Sequence, residues 1–150
     1  MFGVRPPQDE CSGNLVQNNI IHADGTEAGY TAPGICLALD TRYGAYDDLT
    51  GSEELTNNEI INNTIMGTGN ANEVGIEVGV IGVSGNSTKV AYTMGMIHDN
   101  LIQNNTVDGS DYGIYAYVAE DLAIEENEVK NCITHGISTV SYTHLTLPTN

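Results

Sequence analysis

The chain has 150 residues, a formal net charge of −16, 17 Gly and 40% hydrophobic residues, which allows one domain with a modest core. Only four Lys plus Arg stand against 20 Asp plus Glu, and phosphates are held by cations, so binding to nucleic acid or to an anionic membrane surface is excluded. The longest apolar stretch, around Val78 to Val83, is cut by Gly79 and Gly82; nothing approaches the ~20 apolar residues that span a bilayer, so membrane insertion is not expected.

Residues 1–13 carry no repeat mark and read as an N-terminal lead-in. Asn19-Ile20-Ile21-His22-Ala23 is a degraded first copy of a pattern that becomes clear further on. A second mark, Gly then Ile, first stands at Gly34-Ile35. An inserted stretch follows, Asp40-Thr41-Arg42-Tyr43-Gly44-Ala45-Tyr46-Asp47-Asp48, with Glu53 and Glu54 behind it. The first pattern is explicit at Asn58-Glu59-Ile60-Ile61-Asn62 and restarts at once as Asn63-Thr64-Ile65-Met66-Gly67, with Gly75-Ile76 after it. It returns as Asn100-Leu101-Ile102-Gln103-Asn104 and Asn105-Thr106-Val107-Asp108-Gly109, followed by Gly113-Ile114 within the aromatic run Asp111 to Tyr117. The last copy is Asn127-Glu128-Val129-Lys130-Asn131, before Thr134-His135-Gly136-Ile137.

The marks at Gly113 and Gly136 lie 23 residues apart, and Asn105 and Asn127 lie 22 apart. The earlier Gly-Ile marks are 41 and 38 apart, so those units carry inserted loops or a degenerate turn of the repeat. Asn, Gly, Thr and β-branched residues interrupt every four or five positions, which opposes helix and favours strand and turn. A helix-turn-helix repeat also needs ~33 residues or more. The expected fold is therefore all-β, a right-handed parallel β-helix of about 22 residues per coil over residues 14–139, with three short strands per turn. Coils ~4.8 Å apart give a rod of about 25 Å for roughly five coils.

Asn at fixed offsets predicts a ladder of Asn58, Asn63, Asn100, Asn105 and Asn127. Asn tolerates the left-handed backbone of a sharp corner, and its amide bonds to the Asn one coil above. Ile60, Ile65, Ile102, Val107, Ile124 and Val129 are expected inside, with Ile76, Ile114 and Ile137 on the next face. Val140 to Thr149 abandons this pattern. Back-translated, it resembles a sequencing-library adapter, so residues 140–150 are expected to be a non-native tail. What precedes it then reads as a fragment whose last coil leaves the strand edge near Ile133 to Ile137 open.

The Asn-x-Ile-x-Asn and Gly-Ile marks, from about Asn14 to Thr139, resemble the short repeat of right-handed parallel β-helix proteins of the pectin-lyase-like superfamily. That group includes polysaccharide lyases, polygalacturonase-type hydrolases, alginate epimerases, phage tailspikes, surface adhesins and periplasmic copper-maturation proteins. The resemblance implies a fragment of a secreted or surface protein that binds an acidic polysaccharide and, at full length, cleaves or epimerises it. Its rival is a non-catalytic structural or adhesive β-helix of the adhesin or tailspike kind. A copper-maturation role has against it the lack of a His/Met/Cys ligand cluster. Extracellular, cell-surface or periplasmic placement follows from the resemblance and suits the acidic excess; oligomeric state is not legible.

Three features carry candidate chemistry. In the inserted loop, Tyr43 and Tyr46 offer rings for sugar stacking and Arg42 a partner for a uronate carboxylate. Asp47 and Asp48 form either an acid–base pair or oxygen ligands for Ca²⁺; no other cofactor is required. The alternative is a solvated acidic loop. Thr134-His135-Gly136 is similar to the Gly-His-Gly element of polygalacturonase-type hydrolases but lacks its first Gly, Asn105-Thr106-Val107 departs from their Asn-Thr-Asp element, and nothing matches their Arg-Ile-Lys element. His135 is thus a catalytic candidate beside the plain reading of an outward-facing residue. Strand alternation sets Tyr115 and Tyr117 on one face, a carbohydrate platform or ordinary strand tyrosines, with Ile114 and Ala116 on the other. Lyase chemistry needs a Lys or Arg base, for which Lys89 and Lys130 are unremarkable candidates. Cys11, Cys36 and Cys132 have no metal or disulfide spacing.

Overall fold

The computed structural model describes residues 10–23, 32–40, 53–81 and 95–140. These residues contain fifteen β-strands and no helix. In chain order the strands are β1 Glu10–Ser12, β2 Leu15–Gln17, β3 Ile20–Ala23, β4 Ala32–Asp40, β5 Glu54–Thr56, β6 Glu59–Ile61, β7 Thr64–Gly67 and β8 Glu73–Ile81. There follow β9 Ile97–His98, β10 Leu101–Gln103, β11 Thr106–Asp108, β12 Tyr112–Tyr117, β13 Ala123–Glu125, β14 Glu128–Lys130 and β15 His135–Val140.

All strand pairings are parallel, and they sort into four sheets: β1-β5-β9, β2-β6-β10-β13, β3-β7-β11-β14 and β4-β8-β12-β15. Each pass of the chain therefore supplies one strand to every sheet, and four passes, or rungs, lie one on another. A fourth pairing in the first sheet is reduced to a single parallel bridge, His98 with Glu120. The three strands per turn expected from the repeat become four. The missed strand is the two- or three-residue segment around Leu55 and Ile97, which carries no Asn mark because one inward side chain suffices to hold it. Its first member, β1, falls within the stretch expected as a lead-in.

The register explains the spacing of the marks. Leu15 pairs with Glu59, Glu59 with Leu101 and Leu101 with Ala123, steps of 44, 42 and 22 residues between equivalent positions. The two long steps are inserted length, not a degenerate turn, because no further strand of any sheet intervenes among the described residues. Most of that length falls between Asp40 and Glu53 and between Ile81 and Gly95, at the same point of the circuit.

Inward columns follow from the register. Val16, Ile60, Ile102 and Ile124 stack in the second sheet, Ile21, Ile65, Val107 and Val129 in the third, and Ile35, Ile76, Ile114 and Ile137 in the fourth. The middle rungs are sealed: Ile65, Ile76, Ile102, Val107 and Ile114 have no exposed surface. Each such side chain stabilises the fold by about 1.5–3 kcal/mol. Ile137, expected inside, is 42% exposed. It stands on the last described strand of its sheet, where only the rung below packs against it.

The corners divide labour between paired residues. Expectation placed the ladder Asn itself in the left-handed conformation, whereas the residue before it takes that role. Asn57, Asp99 and Asp121 stand at φ 53, 54 and 46°, and Asn18, Asn62, Asn104 and Glu126 at 58, 56, 54 and 54°. Short polar side chains bear this backbone at least cost. The following Asn, released from turning the chain, forms the ladder. Asn58 Nδ2 donates to Asn100 Oδ1 at 3.0 Å, and in the second corner Asn19, Asn63, Asn105 and Asn127 are joined the same way at 2.9, 3.0 and 3.0 Å. All five expected members take part, and Asn14 extends the first ladder with a 2.8 Å bond to Asn58. Leu122, 1% exposed, fills the rung after Asn100 and ends that ladder.

The Gly-Ile mark is a packing mark. A Cβ on Gly75 would sit 2.5 Å from Gly113 O and closer still to Val107 Cγ1, and one on Gly34 would lie 2.7 Å from Ile65 Cγ2. Only hydrogen fits where the fourth sheet begins against the core of the third.

Candidate functional site

Strand β12 builds the most organised outer surface among the described residues. Ile114 and Ala116 point inward with no exposed surface, so Tyr115 and Tyr117 face out, as alternation expects. Tyr112, three residues before Tyr115, belongs to the opposite face of a regular strand. It nonetheless shares this face: its ring centroid lies 5.4 Å from that of Tyr115, with planes at 54°. The change of side occurs at Gly113, where the ladder steps from Tyr112↔His135 directly to Ile114↔Ile137. A Cβ on Gly113 would run into Val129 and Gly136, so this backbone dips toward the core and resets the alternation.

The row continues in both directions. Tyr115 and Tyr117 stand 5.3 Å apart with planes at 39°, and His135, opposite Tyr112 on the next rung, stacks on it at 5.7 Å with planes only 12° apart. The result is four rings in one line, with His135 exposed and the three tyrosines half-exposed. Two expected features, the His135 element and the tyrosine stripe, are thus one surface. Contacts of this kind are worth ~0.5–1.5 kcal/mol per pair and hold the rings in place.

Two devices fix the row. Tyr117 lies flat across β8, where Gly79 leaves room: a Cβ there would be 2.6 Å from Tyr117 Cζ. Its hydroxyl donates to Val80 O. At the other end, Asp111 Oδ2 accepts the Asn72 N–H at 2.9 Å, Oδ1 accepts the Thr134 hydroxyl, and the Asp111 carbonyl accepts the N–H of Thr134 at 2.9 Å and of His135 at 3.3 Å. One buried acid therefore ties three rungs together beside Tyr112 and His135, as a positioning residue.

The electrostatics of the face are acidic. Glu77, 3% exposed, sits in register with Tyr115. Burial first, then the Glu77 carboxylate, then Tyr112, push the Tyr115 phenol up from its ordinary value. Tyr117 is pushed well above the usual tyrosine range by burial, Glu77, Cys36 and Tyr115, with the Val80 hydrogen bond opposing. Both are neutral hydroxyls at physiological pH. The Cys132 thiol is raised by burial and by Asp108 and Asp111, against the Ser110 N–H, so it is not an activated nucleophile.

The other candidates stand elsewhere. Arg42, Tyr43, Tyr46, Asp47, Asp48 and Lys89 lie outside the described residues. Lys130 is on the third sheet, held by Glu128 at 3.3 Å and Asp108 at 4.0 Å. His98 is on the first sheet, where Nδ1 lies 2.8 Å from Asp99 Oδ2 and 3.3 Å from Thr56 Oγ1. Glu73, fully buried, is occupied structurally: it accepts the N–H groups of Thr68, Gly69 and Asn70. Among the described residues no group of three or more His, Cys, Asp or Glu is placed to hold a metal ion, so the calcium expectation rests on Asp47 and Asp48. A concavity of about 520 Å³ at the first rung, between Val16, Ile21 and Ile35, is lined by apolar and amide groups without a titratable side chain.

Tyr112 and Glu77 are the residues that sequence reasoning missed. The signal was available as arithmetic: Tyr112 precedes His135 by the same 23 residues that separate Gly113 from Gly136, and Glu77 precedes Tyr115 by the 38 that separate Gly75 from Gly113. The chain matches no family model, no curated protein and no solved structure.

Proposed function

We propose that this chain is part of a right-handed parallel β-helix protein, as in the pectin-lyase-like superfamily, which works outside the cytoplasm and binds a polysaccharide along the outer face of the β12 sheet. Handedness follows from the near-universal rule for connections between parallel strands. The observation that carries the functional reading is the line Tyr117, Tyr115, Tyr112, His135. Aromatic faces stack on the C–H faces of pyranose rings, and phenol hydroxyls and an imidazole at the rim supply hydrogen bonds.

The reading is of a binding surface. Hydrolysis or elimination needs an acid and a base flanking one bond, and His135 is the one group of that kind with an exposed side chain in the row. Cleavage or epimerisation of an acidic chain remains a proposal that depends on Arg42, Asp47 and Asp48. A purely adhesive or structural role is favoured by a different observation, the two amide ladders that make the rungs a rigid rod. A glycan array probed with the whole chain tests the proposal: binding that disappears in Tyr112→Ala/Tyr115→Ala supports it, and silence across neutral and acidic glycans sinks it in favour of the scaffold.

A further inference from the structure

Building on the polysaccharide reading, we infer that the tyrosine row takes an uncharged, twisted β-linked glycan chain and rejects polyuronates. Three observations on this face carry the inference.

The first is charge. The ionised group in register with the row is Glu77, next to Tyr115. Lys130, the one cation among the described residues, is on another sheet and already shared between Glu128 and Asp108. The chain as a whole carries −16. A polyuronate brings a carboxylate with every sugar, and each would enter a field of its own sign within a Debye length of Glu77, about 8 Å at physiological salt. A neutral chain meets no such penalty. The second is chemistry. Every polar group in the row is a neutral hydroxyl or an imidazole, a set that matches sugar hydroxyls and lacks the fixed fork that binds carboxylates.

The third is shape. Successive rings are separated by 5.3, 5.4 and 5.7 Å, close to one sugar of an extended chain, so one ring serves each residue of the ligand. Their planes turn by 39° and then 54° along β12. A ligand lying on them must turn with them, which suits a soluble strand and not the flat face of a crystalline polysaccharide. β-Linked glucopyranose offers the broadest C–H faces because its hydroxyls are equatorial.

The test is affinity electrophoresis of the whole chain in native gels containing hydroxyethylcellulose or polygalacturonate, at physiological salt with EDTA. Retardation by hydroxyethylcellulose at least about tenfold stronger than by polygalacturonate is expected, lost in Tyr115→Ala and in Tyr112→Ser and retained in Tyr115→Phe. Circular dichroism of each variant establishes that it is folded, and either alanine or serine variant suffices if the other is not. Stronger retardation by polygalacturonate overturns this inference and leaves the wider polysaccharide reading standing. No retardation by either polymer, with a positive array signal on another glycan, overturns it likewise, and no signal in gel or array overturns both.

Discussion

Replacing Asn105 by Ala removes the centre of the second ladder, and the structure sets the cost. Asn105 Oδ1 accepts the Asn63 backbone N–H at 2.9 Å and Nδ2 at 3.0 Å, while its own Nδ2 donates to Ile60 O, Gln103 O and Asn127 Oδ1 at 2.8, 3.0 and 3.0 Å. Five bonds at ~0.5–1.5 kcal/mol each would suggest more, but Asn63 Nδ2 keeps Val16 O and Ile61 O, and Asn127 Oδ1 keeps the Asn105 N–H. The Asn63 N–H, on a residue 1% exposed, loses its acceptor outright. A loss of about 3–5 kcal/mol is expected, a large share of the 5–15 kcal/mol typical of a domain. Asn127→Ala removes three bonds at a half-exposed site and should cost about 1–2 kcal/mol. Urea unfolding monitored by far-UV circular dichroism measures both, provided the slope m is unchanged. Asn105→Asp separates the roles of the amide. It keeps the acceptor but turns a carboxylate toward three acceptors, so its pKa in the folded state is raised. Relative to the parent protein, its stability is then fullest below the unfolded carboxyl pKa of about 4 and is lost as pH rises through the folded value. Equal costs for Asn105→Ala and Asn127→Ala, or a cost below ~1 kcal/mol for the former, would refute the ladder as a stabilising device.

Two further outcomes are expected. Gly75→Ala should destabilise by about 2–4 kcal/mol because its Cβ has nowhere to go, whereas Gly136→Ala, whose Cβ meets only Val129 Cγ1 at an ordinary 3.7 Å, should change stability by ~0.5 kcal/mol or less; thermal melts distinguish the two, and similar shifts would refute the packing account. In alkaline titration followed by tyrosinate absorbance, Tyr117 should ionise last, since burial and Glu77 raise its phenol. The raised value means that its contribution is full below the unfolded tyrosine pKa of about 10 and is lost above it. Unfolding should therefore accompany the last tyrosine, and Tyr117→Phe should remove that coupling.

Much of the architecture was legible because each mark has a single physical cause. Asn-x-Ile-x-Asn encodes corner, inward residue, corner, and Gly-Ile encodes a contact where no Cβ fits. The sequence did not show which Asn of each pair turns the chain, because Asn57 and Asn58 are the same residue type and differ only in backbone angle and burial. The fourth strand escaped notice because Leu55 and Ile97 are lone apolar residues next to inserted length. At the candidate site, Tyr115 and Tyr117 followed from alternation. Tyr112 did not, because a glycine resets the alternation between them, an effect no period-two rule contains. His135 joined the row only once the register across rungs was applied to side chains other than the repeat marks.

The concentration of extra length at one point of the circuit sets how this sequence is free to vary. The two ladder corners each turn on a single residue before the Asn, so a one-residue insertion or deletion there shifts an entire strand and throws every inward side chain of that rung outward. Between Asp40 and Glu53, or Ile81 and Gly95, the same change is absorbed outside the sheets. Heritable length changes should therefore come in two sizes: any number of codons at that one corner, or the 22 codons of a whole turn. A gene built this way diversifies its edge while copying its rungs, and slippage during replication becomes a means of lengthening the rod without redesigning it.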